Sequence, residues 1–112
     1  MVNKPRRKGT QGENRAVTWL QAWWPFAERR ALKGIRDTGD IAGTPYTISV
    51  KNAETWVLHK WISEHRKQMD NAGKSLGWIM ARRSRQPFTF IVDEVTMAHL
   101  LNAAYGEKEE SA

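Results

Sequence analysis

A chain of 112 residues with no cysteine makes one domain, large enough for a core but without disulfides or thiolate metal ligands to reinforce it. Its 18 Lys and Arg against 12 Asp and Glu give a net charge of +6 and a pI near 10.0, which favours a polyanionic partner. No apolar run approaches the roughly 18 residues of a membrane span and the basic start leads into no signal-peptide core, so a soluble, cytoplasmic protein with no membrane partner is expected.

In chain order, residues 1–9 (MVNKPRRKG) read as a basic, flexible arm, with Pro5 and Gly9 among the charges. A single domain is expected over residues 10–105. Its first helix begins at Thr10, where Thr10-Gln11-Gly12-Glu13 fits a capping box. Val17, Leu20 and Trp24 continue an amphipathic face until Pro25 stops the helix. A short strand is predicted over 27–32 (AERRAL) and a turn-rich loop over 33–39. Ile41-Ala42 and residues 47–51 form a predicted hairpin around Gly43-Thr44-Pro45-Tyr46. Period-two alternation puts Ile48 and Val50 on one face, and Ser49 and Lys51 on the other.

A long helix is predicted over 54–72, with Leu58, Trp61, Ile62, His65 and Met69 in one stripe and Gly73 as its stop. His65 on that stripe reads as a satisfied core histidine, not a metal ligand; His59 and His99 have no ligand spacing either. Strands follow at 76–81 (LGWIMA) and 88–92 (FTFIV), joined by the basic loop Arg82-Arg83-Ser84-Arg85. Asp93 caps a final helix carrying Val95, Leu100 and Leu101. The tail 106–112 is acidic. The order α-β-β-β-α-β-β-α implies an α/β domain, a small mixed sheet of about five strands flanked by helices. Of six tryptophans, Trp24, Trp61 and Trp78 fall in core patterns, whereas Trp19, Trp23 and Trp56 are available for an interface.

The segment Gly39 to Asn52 carries the most chemistry. An acid at a turn, Asp40, precedes Lys51 by eleven positions, so a hairpin returns the lysine toward the acid. Taken singly, Glu13 suits a capping box, Asp40 a turn and Lys51 an edge strand. Taken together, Arg7-Lys8-Gly9-Thr10, Glu13, Gly39-Asp40-Ile41 and Val50-Lys51-Asn52 resemble small Holliday junction resolvase-like proteins of bacteriophages, within the PD-(D/E)XK nuclease superfamily. The resemblance spans about residues 6–92.

That resemblance implies a restriction-endonuclease-like fold and a homodimeric endonuclease acting in DNA recombination or processing. It would cut branched DNA with Mg²⁺ or Mn²⁺. Asp40, Glu13 and the Val50 carbonyl would bind metal, and Lys51 would steady the attacking water or the transition state. Gln68 matches a glutamine that many relatives carry in the following helix, and equally suits an ordinary surface position. Lys4, Arg6, Arg7, Lys8, Arg29, Arg30, Arg82, Arg83 and Arg85 would track the DNA backbone, where each alone is a solvated charge.

The departure is Ser49, which stands where such sites carry the Asp or Glu of the (D/E)-X-K motif and binds metal poorly except through water. Either Glu54 supplies a migrated carboxylate, or Glu13, Asp40 and substrate phosphate suffice, or the site is disabled. Glu54 also suits a first-turn acid facing the helix dipole. The competing functions are a non-catalytic DNA-binding module and a small phage protein that binds a host protein.

Overall fold

The computed structural model describes residues 4–31 and 36–106, with the side chains of residues 4–8 excepted. It is an α/β fold with the expected element order: α1 (Lys4–Leu20), β1 (Glu28–Arg29), β2 (Ile41–Ala42), β3 (Thr47–Asn52), α2 (Leu58–Ala72), β4 (Gly77–Arg82), β5 (Thr89–Val92) and α3 (Glu94–Tyr105).

Helix α1 starts at Lys4, six residues before the expected Thr10. The residues expected as an arm from position 4 onward are therefore helical. Pro5 is tolerated because first-turn amides have no intrahelical partner to lose. Thr10 becomes an interior residue and forms no capping box. The helix ends at Leu20, short of Trp24, and the amides of Trp23 and Trp24 both donate to the Leu20 carbonyl, at 3.0 and 2.9 Å. Pro25 disfavours helical geometry at the residue before it, which helps end the helix early.

Sheet topology departs from the predicted hairpin between residues 41–42 and 47–51. β1 pairs antiparallel with β2, forming a separate two-stranded sheet. β3 pairs parallel with β4, Thr47 opposite Gly77 through Asn52 opposite Arg82, and β4 pairs antiparallel with β5. No β2–β3 ladder forms among the described residues, because Asp40 occupies the outer edge of β3 instead. Its amide donates to the Ile48 carbonyl at 2.8 Å, and its carboxylate accepts from the Val50 amide at 2.7 Å. Gly39 makes this possible: at φ +101° it runs so close to β3 that a Cβ would sit 3.0 Å from the Ile48 oxygen.

The central strand β4 is buried from Gly77 to Ala81, as a strand covered on both faces requires. On one side Trp78 and Met80 join Ala16, Leu20, Ile41, Tyr46 and Ile48 in the core under α1. On the other, Ile79 and Ala81 pack with Trp61 of α2. Trp61 and Trp78 are buried and Trp24 packs against the first core, as their patterns predicted. Trp19 and Trp23 stay exposed, and Trp56 packs at the edge of the second core.

Helix α2 begins four residues later than expected, at Leu58, which is itself exposed. The preceding turn is held by the Trp56 indole, which donates to the Ala53 carbonyl at 2.9 Å. Glu54 thus lies ahead of the helix and is no first-turn acid. Gly73 ends α2 in the left-handed conformation, as expected. Asp93 caps α3 by accepting from the Thr96 amide at 2.8 Å, while Val95 and Leu101 remain exposed on that helix. Among the described residues, no helix is long and apolar enough to cross a membrane.

Candidate active site

Alternation along β3 acts as predicted. Ile48 and Val50 turn toward the α1 core, and Ser49 and Lys51 turn toward α2. Two strand residues advance about 6.6 Å and four helical residues about 6 Å, so Ser49 and Lys51 match a pair spaced by four on α2. That pair is Gln68 and Glu64. The Ser49 hydroxyl donates to the Gln68 side-chain oxygen, and the Lys51 ammonium lies 3.4 Å from the Glu64 carboxylate. Lys51 also sits 5.8 Å above the Trp61 ring.

Gln68 is buried, so the surface alternative is set aside. Its side-chain NH₂ donates to the Asp37 carboxylate at 2.8 Å, whose other oxygen accepts from the Gly39 amide at 3.0 Å. Asn71 also donates to the Asp37 backbone carbonyl at 2.9 Å. A polar chain thus runs from β3 through α2 to the loop that carries Asp40. Ser49 lies at its buried end, only 2% exposed, with its hydroxyl engaged by Gln68.

The second part of the site lies across the β3 edge. Glu13 from α1 and Asp40 line a pocket of about 370 Å³ together with Arg29, Arg30 and Gly39. Glu13 is paired with Arg29 at 3.3 Å. Burial pushes the Asp40 carboxyl up to about 6, against the Val50 amide that favours its charged form; the Glu13 charge adds to the rise, Lys51 opposes it, and Asp37 adds a little more. Asp40 is therefore a half-buried carboxylate whose charge is disfavoured chiefly by desolvation and further by Glu13 and Asp37, and a bound cation would relieve both. Its oxygens and those of Glu13 are the hard donors that Mg²⁺ or Mn²⁺ prefers. Among the described residues, no three His, Cys, Asp or Glu side chains gather closely enough to hold a metal ion by themselves.

The predicted residues thus divide into two groups. Glu13 and Asp40 share a pocket, and Lys51 reaches Asp40 through its field while resting on Glu64. Glu54 takes another direction: its carboxylate accepts from the Ser84 amide at 3.1 Å, at the rim of a different cavity. Asp37 and Glu64 escaped the sequence reading. Glu64 was findable from the helical spacing that pairs it with Gln68, whereas Asp37 lies in an irregular loop with no periodic signal. His65 is the core residue expected, its ring NH donating to the Thr47 carbonyl at 2.8 Å; burial holds its pKa below the usual value, opposed by that bond and by Asp93. The side chains of Lys4, Arg6, Arg7 and Lys8 fall outside the described residues. No protein-family model, curated protein or solved structure matches the chain.

Proposed function

We propose that this protein is a metal-dependent DNA endonuclease of the PD-(D/E)XK type, resembling Holliday junction resolvases and acting as a homodimer on branched DNA. The observation that carries the reading is Asp40: a half-buried carboxylate fastened to the Val50 amide, one residue from Lys51, lining a pocket with Glu13 and raised to about 6. Desolvation and the neighbouring acids hold this carboxyl's pKa up despite the Val50 amide bond and the Lys51 charge, a pattern found at functional sites.

Asp40 and Glu13 would hold Mg²⁺ or Mn²⁺, with water or substrate phosphate filling the remaining positions. When bound, the ion would polarise the phosphodiester and acidify a water. Lys51 stabilises negative charge on the phosphate, with Glu64 and the Trp61 ring restricting where its ammonium stands. Gln68 fixes the Asp37 side of the loop and so the approach of Asp40 to β3. Arg29 and Arg30, beside the acidic pocket, are suited to a phosphate on its way in.

A specific observation favours a second reading, a DNA-binding module with a disabled site. Ser49 is buried and engaged with Gln68, so position 49 offers no carboxylate. Cleavage of a labelled four-way junction and a matched duplex, with Mg²⁺, Mn²⁺ or EDTA, separates the two. The expected result is metal-dependent cutting by the parent that Lys51→Ala lowers about a hundredfold or more, with DNA binding largely retained. Binding without cutting, restored by Ser49→Glu, would establish the disabled module instead.

A further inference from the structure

A second cavity lies away from the Asp40 pocket, where β4 ends at Arg82. It measures about 550 Å³ and is lined by Trp56, Arg82, Arg83, Ser84, Phe88 and Glu54 among others. Its charge is out of balance. The guanidinium groups of Arg82 and Arg15 both lie over the Phe88 ring, 5.6 and 5.9 Å from its centroid. Among the described residues neither is paired with a carboxylate, and Glu54 at the rim accepts from the Ser84 amide. The Arg82 Nε is buried with no hydrogen-bond partner among the described residues. Buried donors without a partner are few in native structures, and a bound water or ion is one of the groups that satisfies them.

The walls also present flat apolar surface. Trp56 stands on one side, steadied by its indole bond to Ala53 and its packing 5.9 Å from Trp61. Phe88 forms the other side beneath its two arginines. The loop between them is held in a costly conformation: Arg85 adopts φ +66°, the one non-glycine residue with positive φ among those described. The Gln86 amide closes the turn onto the Arg83 carbonyl at 3.0 Å, which keeps Arg83 at the mouth.

Unpaired cations beside an aromatic platform match a phosphate joined to a planar base. We propose that this cleft seats one unpaired nucleotide of a DNA strand, with its phosphate on Arg82 and Arg83 and its base against the Trp56 ring. The volume suits a ligand of that size. An acidic peptide would meet the arginines but leave the indole face unused. A duplex alone would meet the arginines with phosphates but keep its bases stacked and out of reach. The seat rests on the DNA reading above and sharpens it: it selects substrates in which a strand leaves the duplex, as at a junction or a flap.

The test is fluorescence anisotropy in EDTA with a labelled oligothymidylate and an abasic strand of equal length. The parent is expected to bind the oligothymidylate about tenfold more tightly, since each stacked base contributes roughly 1–3 kcal/mol. Trp56→Leu removes that preference, and Arg83→Gln weakens both strands alike by several-fold. Trp56→Phe keeps a ring and much of the packing, so it retains part of the preference even if Trp56→Leu unfolds. Equal affinity of the parent for both strands would overturn the seat, as would a Trp56→Leu protein that is folded and keeps the preference. Metal-dependent junction cutting, measured separately on the parent, tells failure of the seat from failure of the nuclease reading.

Discussion

Strand β3 is bordered by two polar regions built on opposite rules. Toward α2, four polar side chains are matched to partners: His65 to the Thr47 carbonyl, Ser49 to Gln68, Gln68 to Asp37 and Lys51 to Glu64, while the buried Thr47 hydroxyl has none among the described residues. At the outer edge, Asp40 is half-buried near Glu13 and Asp37, with its carboxyl raised to about 6. The first region is a scaffold, because satisfied polar groups fix geometry at little cost. The second holds a carboxylate whose charge is disfavoured by desolvation and by neighbouring acids, a pattern shared by functional sites and structural ion-pair networks.

The sharpest break of this comparison is Asp40→Asn. Asparagine keeps an oxygen for the Val50 amide and removes the charge, so metal-dependent cleavage falls by about a hundredfold or more. The unfolding temperature at neutral pH stays level or rises, because the cost of the buried charge is gone. Cleavage rates beside a calorimetric scan check both halves. A clear loss of stability with cleavage intact would make Asp40 a structural residue.

On the matched side the effect is on stability. Gln68→Leu strands the Ser49 hydroxyl and frees the Asp37 loop, at a cost of about 1–3 kcal/mol measured by urea unfolding. A substitution that costs nothing would mean that the polar chain does not hold the loop.

The smallest effect is a difference in pH dependence, and its two signs are opposite. Asp40 has a folded pKa raised from 3.8 to about 6, so its contribution is full below its unfolded value and is lost as pH rises through about 6. His65 has a folded pKa below its unfolded 6.5, so its contribution is present above that value and is lost as pH falls below it. The two act in opposite directions below about pH 6 in the parent. Asp40→Asn therefore steepens the loss of stability on acidification, whereas His65→Gln makes the protein gain stability from pH 6 toward 4. Urea midpoints across that range read the difference; parallel profiles for the two variants would remove the assignment of these groups.

Much of this was legible in the residues. The alternation Ile48, Ser49, Val50, Lys51 separated the two faces of β3, and the apolar run over 76–81 marked a strand. His65 announced its core role by lying on the stripe of α2, and Gly73 and Asp93 marked the helix ends. These are local rules of period and capping, which a sequence carries in itself. The ends of α1 and the start of α2 were misjudged, because a first-turn proline costs little and a loop tryptophan can delay a helix.

What the chain alone could not settle was which edge each strand would offer and which charges would meet. The expected β2–β3 ladder gave way to Asp40, whose amide and carboxylate both bond to β3. Asp37 joined Gln68 across 31 positions, and Arg15 met Arg82 over one phenylalanine. Sequence determines period, caps and turn chemistry because those are interactions between near neighbours. Electrostatic neighbourhoods depend on distances between distant segments, and only the folded chain sets them.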